Sequence, residues 1–146
     1  MILDLEKRRE IKINNDEITL NIRQKKVVQS DAPKILCLAS AAAGKTRTLT
    51  ERIKFLILSK RSNPEGIVAI TFTNQAAAEM YSRLGKLGEK CFIGTVHSYA
   101  NKLCINAGID TMQIILDEQY DKLLELAMLI PRNNLPQIKY LMVDEC

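Results

Sequence analysis

No two of the four cysteines, Cys37, Cys91, Cys104 and Cys146, stand in a C-x-x-C pair, and the chain has a single histidine, His97. That spacing suggests neither a zinc site nor a disulfide framework. No apolar run approaches the ~20 residues needed to span a membrane as a helix. The opening Met1-Ile2-Leu3-Asp4-Leu5-Glu6-Lys7-Arg8-Arg9-Glu10 lacks the basic-then-apolar order of a secretion signal. A cytoplasmic protein with no membrane partner is the expectation. Charge of either sign is also modest: a net +4 over 146 residues permits a polyanionic partner without indicating one.

With 47% hydrophobic and 26% charged residues, the composition is that of one ordinary globular domain. Residues 1–19 form a charged lead-in, and the domain occupies 20–146. Asn21 is a candidate helix N-cap, with Val27 and Val28 as the apolar stripe before Pro33 closes the segment. Residues 35–38 form an apolar, strand-like run. A helix over 47–59 places Leu49, Ile53, Leu56 and Ile57 on one face. The turn cluster at 62–66 precedes a second strand, 67–72. An alanine-rich helix follows, with Ala76, Ala77, Met80 and Leu84 on one face and Gly85 and Gly88 at its end. A third strand at 91–93 with its exit loop at 94–96, a helix over 99–105, a longer helical pattern over 112–130 and a fourth strand at 138–143 complete the chain. Alternating strands and helices predict an α/β fold: a doubly wound parallel sheet with helices on both faces and ligands beyond the strand C-terminal ends.

The run Ala39-Ser40-Ala41-Ala42-Ala43-Gly44-Lys45-Thr46, between the first strand and the first long helix, has the form of a phosphate loop. A tight loop turns backbone N–H groups inward, and the helix directs the positive end of its dipole at the anion. Lys45 then neutralises terminal phosphate charge and Thr46 offers a hydroxyl to Mg²⁺. The expected ligand is a nucleoside triphosphate. At the other end of the chain, Tyr140-Leu141-Met142-Val143 leads into Asp144 and Glu145. An acidic pair after a strand is often only a solvated strand end. Beside a phosphate loop it supplies the second half of the site, with Asp144 holding Mg²⁺ through its water shell and Glu145 polarising the attacking water.

These motifs and those between them resemble, in order, superfamily 1A DNA helicases of the UvrD/Rep/PcrA type, over about residues 20–146. Leu20-Asn21-x-x-Gln24 is similar to the family's Q motif, in which the glutamine reads the adenine edge. Residues 39–47 resemble motif I, which itself often starts with alanine. Arg47 by this resemblance packs on adenine; the alternative is a solvated first-turn residue. Ala69-Ile70-Thr71-Phe72-Thr73-Asn74-Gln75-Ala76-Ala77-Ala78-Glu79-Met80 resembles motif Ia, with Gln75 where the family usually has lysine. The resemblance implies that Phe72 stacks on a base of single-stranded DNA while Thr73 and Asn74 position the strand. The plainer possibility for Phe72 is a strand-end core aromatic. Gly94-Thr95-Val96-His97-Ser98 is similar to motif Ib, which implies DNA-backbone contacts for Thr95 and His97; a lone histidine is otherwise most often structural.

The implied protein is the partial, RecA-like 1A motor domain of an ATP-dependent 3′ to 5′ DNA helicase, using ATP and Mg²⁺. The helicase half of a helicase-nuclease and a non-catalytic nucleotide-binding module are the alternatives. Three departures qualify the resemblance. Only about 45 residues separate His97 from Asp144, so the family's 1B insertion is expected to be reduced, over about 105–136. Nothing resembling motifs III to VI, including the transition-state arginines and the second motor domain, follows Cys146. The chain alone is therefore expected to hydrolyse ATP negligibly, such arginines being worth ~10³–10⁵ in rate. Finally, Ala42 stands where motif I commonly has glycine; a positive φ there would cost alanine about 1 kcal/mol. We expect Ala42→Gly to tighten nucleotide binding severalfold, as titration calorimetry would register; an unchanged affinity would remove the concern.

Overall fold

The protein is described here by a computed structural model that places residues 20–38, 40 and 44–144. The lead-in 1–19, Ala39, Ala41, Ala42, Ala43, Glu145 and Cys146 lie outside the described residues. Asn21 caps α1 (Ile22–Gln29): its Oδ1 accepts the Gln24 N–H at 2.9 Å, and its own N–H donates to Gln24 Oε1 at 2.9 Å. This reciprocal capping box satisfies two helix-end donors at once. The second helix, α2 (Lys45–Leu58), buries Ile53 and Leu56, with Leu49 and Ile57 packed at the margin of the same core.

That core lies against a parallel sheet. β1 (Ile67–Thr71) is the middle strand, between β2 (Phe92–Gly94) and β3 (Tyr140–Asp144). Ala69 stands opposite Ile93 on one side and Met142 on the other. These three, with Ile67, face α2 and Ala77, Met80 and Leu84 of α3 (Asn74–Leu84). Gly85, at φ 53°, ends α3 in a conformation that side chains disfavour. On the opposite sheet face α4 (Val96–Asn106) covers β1 and β2, its Tyr99 ring 4.7 Å from that of Phe92. The part of that face belonging to β3 is open, with Leu141 61% exposed.

Two expectations from the sequence change. Residues 35–38 form no strand, and Leu36 and Leu38 are 83% and 87% exposed. A strand exists through its neighbours, and no described strand pairs with this run; apolar character alone does not supply one. The helical pattern over 112–130 is two helices, α5 (Met112–Leu116) and α6 (Tyr120–Met128). Glu118, at φ 55°, separates them, because a left-handed residue cannot continue a right-handed helix. The sequence pattern puts Leu116, Tyr120, Leu123, Leu124, Ala127, Met128 and Leu129 on one apolar face, of which only Leu123 is buried; its carbonyl accepts the Cys104 S–H, and Leu116, Met128 and Leu129 are exposed. Strand and helix boundaries elsewhere agree within a few residues.

Cys37 is exposed whereas Cys91 and Cys104 are buried. Burial, reinforced by Glu65, pushes the Cys91 thiol up to about 11, and burial also raises Cys104. We expect iodoacetamide at pH 8 to alkylate Cys37 in the native protein and to reach Cys91 and Cys104 only after denaturation, as peptide mapping would reveal. A raised thiol favours the folded state while protonated. Its contribution is therefore full below pH 9, and thermal stability should fall as the pH climbs toward 11.

Candidate functional site

Because both neighbours of β1 run parallel to it, all three strands end on one edge of the sheet. Asp144, the last residue of β3, is 5% exposed and aligned with Thr71 of β1. Its carboxylate Oδ2 accepts the Thr46 hydroxyl at 2.7 Å, across 98 residues of sequence. The two expected metal-site residues therefore meet. Both offer hard oxygens, and a pair of this kind, completed by waters and phosphate oxygens, is the donor set that Mg²⁺ prefers. The residues present thus fit the implied metal and nucleotide.

Gly44 and Lys45 begin α2. Gly44 occupies the left-handed region at φ 74°, so here the loop does require glycine. No side chain caps this helix end and no acidic residue sits in its first turn. The N-terminal N–H groups of α2 thus receive no capping side chain from Gly44 and no acidic residue from the first turn itself, and the Asp144 carboxylate meets this helix end through the Thr46 hydroxyl rather than through the backbone N–H groups that an anion would use. Further along, Thr48 and Thr50 hydroxyls donate back to the Gly44 and Thr46 carbonyls at 2.9 and 2.8 Å, which fixes the first turns.

Gln24 and Arg47 flank this helix end. A Cβ added at Gly44 would lie 3.2 Å from Gln24 Nε2, so the carboxamide abuts the phosphate loop. Gln24 has a structural duty as well, since its Oε1 completes the α1 capping box. Arg47 is half-buried, and its Nε has no hydrogen-bond partner among the described residues. A buried unpaired donor costs ~1–3 kcal/mol, which an acceptor brought by a ligand would offset. Ser40 is exposed; Ala39, Ala41, Ala42, Ala43 and Glu145 lie outside the described residues.

The remaining candidates lie at the same sheet edge. Phe72, directly after β1, is 77% exposed, which removes the core-aromatic alternative. Thr73 caps α3 by accepting the Ala76 N–H at 3.1 Å, and Asn74 is the exposed first residue of that helix. Thr95 caps α4 in the same way, through the Ser98 N–H at 3.2 Å. His97 stands in the first turn of α4, its Nε2 3.8 Å from Asp121 Oδ1 and its ring 6.0 Å from that of Tyr120. Thus β1 and β2 end in the same device: a threonine cap with a ring, Phe72 or His97, close by.

Sequence reasoning passed over Arg52. The residue is 7% exposed, and the two N–H groups of its Nη1 are shared among the carbonyls of Val27, Val28 and Ser30 at 2.7, 3.1 and 3.1 Å. Burial lowers its pKa from the ordinary guanidinium value. The available signal was a cation adjoining Ile53 on the apolar stripe of α2. A surface depression lined by Lys60, Asn63 and Lys139 lies at the opposite, N-terminal end of β1 and β3, away from the strand C-terminal ends. No helix among the described residues is long and apolar enough to cross a membrane.

Residues 20–124 match the family model described as UvrD/REP helicase N-terminal domain. The chain is 37% identical over 127 residues to DNA helicase II of Escherichia coli (strain K12), an alignment covering 82% of this chain and 18% of that protein. It is 44% identical over 94 residues to a probable DNA helicase II homolog of Rickettsia conorii, covering 62% and 14%. With ATP-dependent DNA helicase PcrA of Staphylococcus aureus (strain Mu50 / ATCC 700699) it shares 41% identity over 83 residues, covering 54% and 11%. The chain therefore spans less than a fifth of the length of each of these relatives. The matched segment runs from the α1 cap through α2 and the ends of β1 and β2 into α6, and on that match the chain belongs to the UvrD/REP helicase N-terminal domain family.

Proposed function

We propose that residues 20–146 are the ATP-binding 1A portion of an ATP-dependent 3′ to 5′ DNA helicase or translocase that acts on single-stranded DNA. The observation that carries this reading is the 2.7 Å bond between Thr46 and Asp144, which joins the end of the phosphate loop to the end of β3. It is supported by the N-terminus of α2, which has no side-chain cap, and by relatives named DNA helicase II and ATP-dependent DNA helicase PcrA.

Each residue then has a task. Gly44 gives the loop its left-handed turn, and Lys45 neutralises charge on the terminal phosphate. Thr46 and Asp144 hold Mg²⁺, which when bound offsets the negative charge of the phosphate oxygens. Glu145 orients the attacking water. Gln24 and Arg47 hold the adenine, the first by its carboxamide and the second by its guanidinium face. At the neighbouring strand ends Phe72 stacks on a DNA base, and Thr73, Asn74, Thr95 and His97 contact the backbone. Residues of about 105–136, which include α5 and α6, act as a reduced 1B-like insertion.

Turnover needs more than these groups. Strand movement requires a second motor domain that closes on nucleotide, and fast hydrolysis requires transition-state arginines. Residues 1–146 alone are proposed to bind nucleotide with negligible hydrolysis.

The test is steady-state ATP hydrolysis by the longest natural form of the protein, with and without single-stranded DNA. We expect strong stimulation by DNA and its loss in Lys45→Ala; hydrolysis indifferent to DNA would sink the helicase reading. In the same protein, Phe72→Ala should weaken single-stranded DNA binding about tenfold or more, for stacking is worth ~1–3 kcal/mol per base. Fluorescence anisotropy with a labelled oligonucleotide would measure it, and an unaltered affinity would return Phe72 to an incidental surface ring.

A further inference from the structure

The α1 helix is a weak element on its own. It has eight residues, too few to be stable in water unaided, and Val28 is its one buried side chain. Yet it carries Gln24, whose carboxamide abuts Gly44 of the phosphate loop. Something other than α1 itself must decide where that carboxamide sits.

Arg52 is placed to do so. It lies on α2 two turns beyond Lys45, on the same side of the helix. Its Nη1 reaches the carbonyls of Val27, Val28 and Ser30, at the C-terminal end of α1, where carbonyls lack partners within the helix and the dipole is negative. The two N–H groups of one nitrogen serve three carbonyls, one N–H being shared between two of them, so the guanidinium acts as a C-cap supplied by a different helix. The other link is weaker. Arg61, after α2, pairs with Asp31, after α1, but Asp31 is well exposed, and pairs of that kind contribute little. Gln24 lies about one turn from the carbonyls that Arg52 grips, so a shift or fraying there moves Gln24 relative to Gly44.

We propose that Arg52 is a positioning residue that fixes α1 on the phosphate-loop helix and thereby sets nucleobase selection through Gln24, with no part in holding the phosphates. This rests on the nucleotide-binding reading above. Phosphate affinity comes from the start of α2, which stays in place through Ile53 and Leu56 in the main core. Base affinity depends on α1, which is attached through Arg52. Loss of the guanidinium should therefore separate the two.

The experiment is calorimetric titration of the full chain with ATP, GTP and inorganic triphosphate, each with Mg²⁺. It compares the unmodified protein with Lys45→Ala, Gln24→Ala, Arg52→Lys, Arg52→Met and the Gln24→Ala/Arg52→Met double variant. Arg52→Met should weaken ATP about tenfold, bring the ATP-to-GTP ratio to that of Gln24→Ala and leave triphosphate within about twofold. Adding Arg52→Met to Gln24→Ala should then change ATP binding no further, as expected of two residues acting through one contact. Arg52→Lys, which keeps a buried cation but not the fork, should show the same selective loss in smaller measure. If Arg52→Met has no thermal unfolding transition, the decision passes to Arg52→Lys. Equal loss of all three ligands in a folded variant, additivity with Gln24→Ala, or an unchanged ATP-to-GTP ratio would overturn the proposal. If Gln24→Ala is selective and Arg52 variants are not, this inference alone fails. If the unmodified protein binds no ATP, or Lys45→Ala leaves binding intact, the nucleotide-site reading fails and takes the inference with it.

Discussion

Everything at the site depends on the parallel pairing of β1 with a strand on each side. Parallel strands with aligned registers bring their C-terminal ends to one edge, and the ends of β1 and β2 leave the sheet just where α3 and α4 begin. Asp144, Phe72 and Thr95 thereby become neighbours of one rim although they are distant in the chain. The same pairing aligns Ile67, Ala69, Ile93 and Met142 on the face that receives α2 and α3. The apolar core that holds the sheet together thus also fixes the position of α2, whose first turn carries Lys45 and Thr46.

Two kinds of polar linkage then act on that frame. The Thr46–Asp144 bond ties the helix start to the strand end and brings together the two oxygens suited to a divalent ion. The Arg52 contacts tie α1 to the flank of the same helix. The first is part-buried and made between a hydroxyl and a carboxylate; the second is largely buried, where an unpaired guanidinium would be strongly unfavourable.

Away from the site the fold is less closed. Leu141 and Val143 on one face of β3, and Leu36 and Leu38 before the phosphate loop, expose apolar surface that an isolated core would bury. Much of α5 and α6 is likewise open, although Leu123 anchors α6 on α4 beside Cys104. The matched relatives are more than five times as long as the aligned share of their own sequences, so a larger surround is ordinary for this segment in those proteins.

Local patterns in the sequence determined a good deal. The Asn21 cap, the helical face of Ile53 and Leu56, the buried strand expected at 67–72 and found at Ile67–Thr71, and the glycine stop after Leu84 all follow from spacing and residue chemistry, which act over a few residues. Tertiary structure decided what depends on partners. Whether 35–38 pairs as a strand, whether Phe72 is inside or outside, and which of Leu116, Leu123, Met128 and Leu129 is buried depend on distant segments that local pattern cannot supply. Glu118 broke a continuous helical pattern, although its own residue type gave no warning. Arg52 shows the limit most plainly. In sequence it is one more cation on a helix, and only the arrival of three carbonyls from α1 makes it a buried joint, because a hydrogen bond needs both partners and the sequence lists only one of them at a time.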